Sequence, residues 1–168
     1  NSFRSYWNAN MQSTQRTLAH FISTRPGGLG GIAWVNVLCA TGPNHNGYAF
    51  SDIDANFNPL PTYSWDCMVV AHETGHNFGS PHTHSCSWPG GPIDSCYETE
   101  GSCYTGPAIA RVGTIMSYCH LNGSIALYFG ALPSQLIRSR SEAAACMNSV
   151  TGYAIGYPNG GSFYRSGT

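Results

Sequence analysis

The sequence predicts a mixed α/β (α+β) domain, and three stretches carry that prediction. Gly31-Ile-Ala-Trp-Val-Asn-Val-Leu-Cys39 is rich in β-branched and aromatic residues and reads as a strand. Residues 2–23 before it place Phe3, Tyr6, Trp7, Met11, Leu18, Phe21 and Ile22 at three- and four-residue intervals, a helical pattern. After it, Ser64 or Asp66 is placed to cap a helix that runs through Met68, Val69, Val70 and Ala71 to Phe78.

The connections follow from turn chemistry. Arg25-Pro-Gly-Gly28 stops the first helix. Residues 40–64 are dense in Asn, Gly and Pro and read as loop, with a short strand around Tyr48–Phe50. Residues 83–113 are irregular, and Gly113-Thr-Ile-Met-Ser-Tyr118 reads as a tight turn. A last helix is expected from Leu132-Pro-Ser134 to about Met147, because Pro is tolerated in a first turn. Residues 1–150 form the expected domain, and the Gly/Tyr/Ser-rich residues 151–168 a tail or linker. Only one strand of any length, 31–39, precedes the central helix in this reading. One strand cannot cover a helix, so partner strands are expected upstream of Asn1.

Hydrophobic residues make up 42% of the 168, but charged residues only 9%. All seven basic residues are Arg, and the net charge is −1, which excludes electrostatic binding of nucleic acid or an anionic membrane. The longest apolar run, Ile32 to Ala40 with Asn36 inside it, is too short for a bilayer span. Seven cysteines contain no C-x-x-C pair, so a disulfide framework in an oxidising compartment is expected rather than sulfur ligation of a metal. Seven is odd, which leaves at least one thiol without a partner in the chain. The start at Asn1, with no leader before it, reads as a processed form or a fragment.

Residues 72–82 read His-Glu-Thr-Gly-His-Asn-Phe-Gly-Ser-Pro-His. Five fixed positions in eleven recur by chance on the order of once in a million start points. His72 and His76, four apart, project from one helix face, and Glu73 sits beside that face. Gly79 tolerates the left-handed conformation that reverses a chain, so His82 returns a third imidazole from outside the helix. Three neutral histidines with one open position are the ligand set of a catalytic zinc. A helix that merely carries surface histidines leaves the Glu, the Gly and the third His unexplained.

Met116 follows that motif by 34 residues. With it the chain resembles the metzincin metallopeptidases, and within them bacterial secreted relatives of the reprolysin (adamalysin) family. Met68–His82, Cys86 and Gly113–Cys119 carry most of the likeness, and Phe3–Trp7, Leu18–Ser23 and Gly31–Cys39 carry it more loosely. It covers about residues 3–147 and lacks the family's first strands and helix. The resemblance implies a zincin catalytic domain, with the active-site helix under a mostly parallel sheet that has an antiparallel edge strand, and an irregular C-terminal subdomain. It implies that His72, His76 and His82 bind one Zn²⁺, that Glu73 is general base and acid, and that Met116 floors the site. It further implies that the edge strand, here Gly31, Ile32, Ala33, Trp34 and Val35, pairs with an extended peptide.

Two departures stand out. Thr83 follows the third histidine where reprolysins usually carry Asp. Tyr118, two residues after the methionine as in astacins and serralysins, is a fifth ligand or a donor to the tetrahedral intermediate, or else a buried tyrosine bonded to backbone. The resemblance also suggests Cys39–Cys146. Cys86–Cys119 and Cys96–Cys103 are the preferred remaining pairs, the latter on ease of closure, leaving Cys67 single. A pocket wall of Leu121, Ile125 and Leu127 is implied, favouring an apolar residue after the cut.

His84 reads as a surface residue or a support for the ligands, and His20, His45 and His120 as ordinary histidines. Asp94, Glu98 and Glu100 offer oxygens to a structural Ca²⁺, but their spacing is not that of a calcium loop, so a solvated acidic loop is expected. The expected function is that of a secreted, monomeric zinc endopeptidase, with protein or peptide as substrate and a propeptide in its precursor. The alternative is a catalytically idle module of the same fold used in adhesion or protein binding, but such a module has usually lost the Glu or a ligand. A zinc exopeptidase or amidase needs a charge to bind a terminus, for which Arg111 alone is placed.

Overall fold

In the computed structural model the first predicted helix divides. Residues Ser2–Asn10 form α1, the chain turns at 11–14, and Ala19–Ser23 form a strand, β1. The model describes the chain apart from residues 1, 15, 26–27, 29, 41, 43–44, 104–111, 149–153, 157–161 and 165–168. Part of the expected turn at 25–28 and most of the tail at 151–168 therefore lie outside the described residues, although 154–156 and 162–164 pair as antiparallel strands.

β1 is a strand because of what it pairs with. It runs parallel to β3 (Tyr48–Asp52), from Ala19 opposite Tyr48 to Ser23 opposite Asp52. Phe21, spaced as if on a helix, instead stacks on Phe3 at 5.3 Å and lies 5.7 Å from Phe50. Arg16 fastens α1 over this sheet. Its guanidinium lies 4.9 Å from the Trp7 ring and 4.5 Å from the Tyr48 ring, and donates to the Gly47 carbonyl.

β2 (Gly31–Ala33) is antiparallel to the other side of β3, in the order β1-β3-β2. The sheet thus takes three strands from this chain, the short strand expected around Tyr48–Phe50 being its middle one and β1 an unexpected third, with one parallel and one antiparallel pairing. β2 is also shorter than the predicted 31–39, and Trp34 and Val35 lie beyond it. The chain leaves the sheet because the central helix needs it. Asn36 N donates to the His76 carbonyl and Val37 N to the Asn77 carbonyl, satisfying groups that a helix end leaves open. Asn36 turns at φ 59, a conformation Asn tolerates better than most residues.

α2 (Trp65–Asn77) packs beneath β3 and β2, burying Met68 and Val69. Ser64 occupies its cap position, but the hydroxyl makes no cap bond and donates to the Asn56 carbonyl. The Asp66 carboxylate accepts from the backbone of Asp54 and Asn56 and so holds the preceding loop. The predicted last helix is two pieces, α3 (Ala131–Ala143) and α4 (Ala145–Asn148). Between them Ala144 is extended, and Cys146 meets Cys39.

Two of the preferred disulfides are exchanged. The pairs are Cys39–Cys146, Cys86–Cys103 and Cys96–Cys119, with Cys67 free. Backbone bonds between Cys86 N and Glu100 O, and between Glu100 N and His84 O, lay the start of this loop along its end. Cys96 instead meets the turn at 119–122, where Asn122 donates to its carbonyl at 2.6 Å. Loop closure was a weak guide, since doubling a loop costs only about 0.6 kcal/mol. Mapping of non-reduced peptides should recover 39–146, 86–103 and 96–119 with alkylated Cys67. A peptide joining Cys86 to Cys119 would overturn this arrangement.

Candidate metal centre

α2 delivers His72, Glu73 and His76, all buried. Phe78 N donates to Thr74 O and Gly79 N to His76 O, and Gly79 then reverses the chain at φ 99. Ser80 N closes the reversal on the Gly75 carbonyl, and residues 81–82 return His82 to the helix. His76 Nε2 lies 3.1 Å from His72 Nε2 and 3.0 Å from His82 Nε2.

The other ring nitrogens fix the chemistry of that meeting. His72 Nδ1 donates to the Ile115 carbonyl at 2.7 Å, and His76 Nδ1 to the Ser80 carbonyl at 2.8 Å. His82 Nδ1 is 2.6 Å from Glu100 Oε1. A carbonyl only accepts, so His72 and His76 carry their proton on Nδ1 and present a lone pair at Nε2. His72 and His76 therefore share no hydrogen bond through their Nε2 atoms, and the three rings form a group that could hold a metal ion. The donor set fits zinc: three neutral imidazoles, each held from behind by an oxygen. Burial supports their neutrality, pushing His72 down to about 3 and His76 to about 4.

Met116 lies under α2, fully buried. Gly75 makes room for it, since a Cβ there would sit 2.5 Å from the Met116 sulfur and 2.9 Å from Phe129. Thr83, the departure after the third histidine, donates its amide to the Met116 carbonyl at 3.0 Å, with its hydroxyl at 3.3 Å from the same oxygen. It thereby joins the His82 segment to the turn that holds His72.

A cleft of about 530 Å³ opens beside the histidines, lined by His72, Glu73, Tyr118, Trp65, Met68 and Leu121 among others. Ile125 and Leu127 are not among its lining residues. The Glu73 carboxylate makes no hydrogen bond among the described residues, and burial pushes it up to about 8. β2 passes so close that a Cβ on Gly31 would overlap that carboxylate. Ile32 and Val35 on the same segment are 58% and 51% exposed. The Tyr118 ring is 4.5 Å from that of His82 and 5.9 Å from that of His72. Its hydroxyl bonds to no backbone group among the described residues. Burial, with Glu73 and Glu100 nearby, holds that hydroxyl above its ordinary pKa.

His84 is fully buried and stacks on His82, so it is not a surface residue. His120 lines the cleft against Trp65. Asp94, Glu98 and Glu100 do not assemble for calcium, because Asp94 accepts from Cys96 N and Glu100 turns to His82. Sequence reasoning missed Glu100, which no spacing connects to the motif. It also missed Gly75, whose signal was a glycine inside a helix. Arg111 lies outside the described residues.

A reprolysin family model, described as metallo-peptidase family M12, matches residues 1–126. The chain belongs to metallo-peptidase family M12. No curated protein matches this M12 chain closely enough to stand as a relative. Its three disulfides fit an extracellular member of the family, and no helix among the described residues is long and apolar enough to cross a membrane.

The buried histidines of this M12 site set a stability profile for the metal-free chain. His72 and His76, depressed from 6.5, contribute stability that is present above pH 6.5 and lost as pH falls toward about 4 and 3. Glu73, raised from 4.5, contributes stability that is present below pH 4.5 and lost as pH rises through about 8. Each titration is worth about 1.4 kcal/mol per pH unit, so two histidines outweigh one glutamate below 6.5. Melting of the chelated protein should peak near pH 6.5 and fall toward both pH 5 and pH 8. A midpoint flat from pH 5 to 7 would contradict the burial of these groups.

Proposed function

We propose that this chain is a secreted zinc endopeptidase that hydrolyses internal bonds of extended protein segments. The observation that carries the reading is the convergence of three Nε2 lone pairs beside a buried carboxylate with no hydrogen-bond partner among the described residues. His72, His76 and His82 would hold the zinc, which would supply a Lewis acid and lower the pKa of water to near 7. Its positive charge would also favour the charged form of Glu73 against the upward push of burial. Glu73 then takes a proton from the attacking water and returns it to the leaving amine.

The free edge of β2 suits the substrate. Gly31, Ile32 and Ala33 bond β3 on one side only, and the chain continues through exposed Val35. An extended peptide added antiparallel to that edge passes Glu73 at Gly31. Tyr118 keeps its proton at neutral pH and donates toward the carbonyl oxygen as charge develops there. Trp65, Met68 and Leu121 give the adjoining cleft apolar walls, which favours an apolar side chain after the cut. Low charge and three disulfides support an extracellular site of action.

Digestion of a denatured protein by the metal-loaded chain should give internal cuts that a chelator abolishes. Glu73→Gln should lower kcat/KM by on the order of 10²- to 10⁴-fold while zinc stays bound. A wild-type chain that holds zinc and cuts nothing would instead be a binding module. Tyr118→Phe should lower kcat by about 10²-fold with KM little changed, and an unaltered turnover would remove the donor role.

A further inference from the structure

Two of the three candidate ligands are backed by backbone carbonyls, and the third is not. His82, the ligand outside the helix, meets the Glu100 carboxylate at 2.6 Å. The same oxygen lies 3.5 Å from Nε2 of His84. The His84 ring is fully buried, has no hydrogen-bonded nitrogen, and stacks on the His82 ring at 4.9 Å between centroids. Glu100 itself is half-exposed, yet its backbone is fixed. Its amide donates to the His84 carbonyl, its carbonyl accepts from Cys86 N, and the Cys86–Cys103 disulfide closes the segment three residues on.

The geometry points to Glu100 as a positioning residue for the metal, acting through His82, with the Cys86–Cys103 disulfide holding its carboxylate in place. This rests on reading the three histidines as a zinc centre. A carboxylate acceptor fixes the proton on Nδ1, aims Nε2 at the ion and raises its basicity beyond what a neutral carbonyl does. Thr83 does not supply that acceptor, and its amide and hydroxyl both donate to the Met116 carbonyl instead. The acceptor comes instead from 18 residues further along the chain. The buried His84 ring behind His82 leaves the imidazole little room to rotate away.

The test is zinc affinity, measured by competition with a chromophoric chelator, together with the visible spectrum of the cobalt-substituted protein. Glu100→Ala should weaken zinc binding about 10- to 100-fold and alter the cobalt bands. Glu100→Gln keeps an oxygen that accepts from Nδ1 and should lose less. Glu98→Ala, an exposed acid on the same loop, should change neither readout. The Cys86→Ser/Cys103→Ser double variant should weaken binding in the same range, and adding Glu100→Ala to it should cost little more. Affinity of Glu100→Ala within twofold of wild type overturns the proposal, as does an equal loss in Glu98→Ala or full additivity with the cysteine pair. A wild-type chain that takes up no zinc overturns both this proposal and the metal reading. Tight wild-type binding that Glu100→Ala leaves intact overturns this proposal alone.

Discussion

The site depends on one constraint, which is that His72, His76 and His82 must each keep an oxygen behind Nδ1. His76 Nε2 lies 3.1 Å from that of His72 and 3.0 Å from that of His82, and the rings hold that arrangement only if they cannot rotate. The acceptors come from three different parts of the chain. Ile115 in the methionine turn serves His72, Ser80 in the reversal after α2 serves His76, and Glu100 on a disulfide-closed loop serves His82. The turn, the reversal and the loop are therefore parts of the candidate centre, although the acceptor groups they supply lie outside its three histidines.

Two glycines bring backbone close enough for this to work. Gly75 lets the methionine turn rise against α2, which puts the Ile115 carbonyl within reach of His72. Gly31 lets the edge strand pass beside Glu73, so an added peptide would run close to the carboxylate. A side chain at either position would force apart the two elements that meet there. The main chain at 36–37 adds a third closure by bonding the last carbonyls of α2. Both the helix and the strand edge are thereby fixed against the same end of the sheet.

What the sequence made legible was short-range. His72, Glu73, Gly79 and His82 fall within eleven residues, so helical period and one glycine reversal were enough to bring them together. β1 was misread because Leu18, Phe21 and Ile22 fit a helical interval equally well, and only the distant β3 decides for a strand. The length of β2 was misread for a related reason, since bonds from Asn36 and Val37 to the end of α2 outcompete further pairing. Glu100 was read as one of a solvated acidic group. Its partner lies 18 residues away, and no periodicity links a loop carboxylate to a returning histidine.

The two halves of the site are held by different physics. His72 and His76 belong to a helix whose backbone bonds are local and whose apolar face is buried under the sheet. His82 belongs to an irregular stretch with little ladder, and the carboxylate that meets it, Glu100, sits on a loop of that same stretch. There the constraint is covalent. Cys86–Cys103 and Cys96–Cys119 join positions 17 and 23 residues apart, and closing loops of that length removes about 3 kcal/mol each from the unfolded chain in the loop-entropy picture. Thr83 ties the His82 segment to the methionine turn, and Asn122 holds the Cys96 carbonyl beside the 96–119 bridge. The helix thus presents His72 and His76 largely by itself, and the disulfide-closed loops fix His82 beside them.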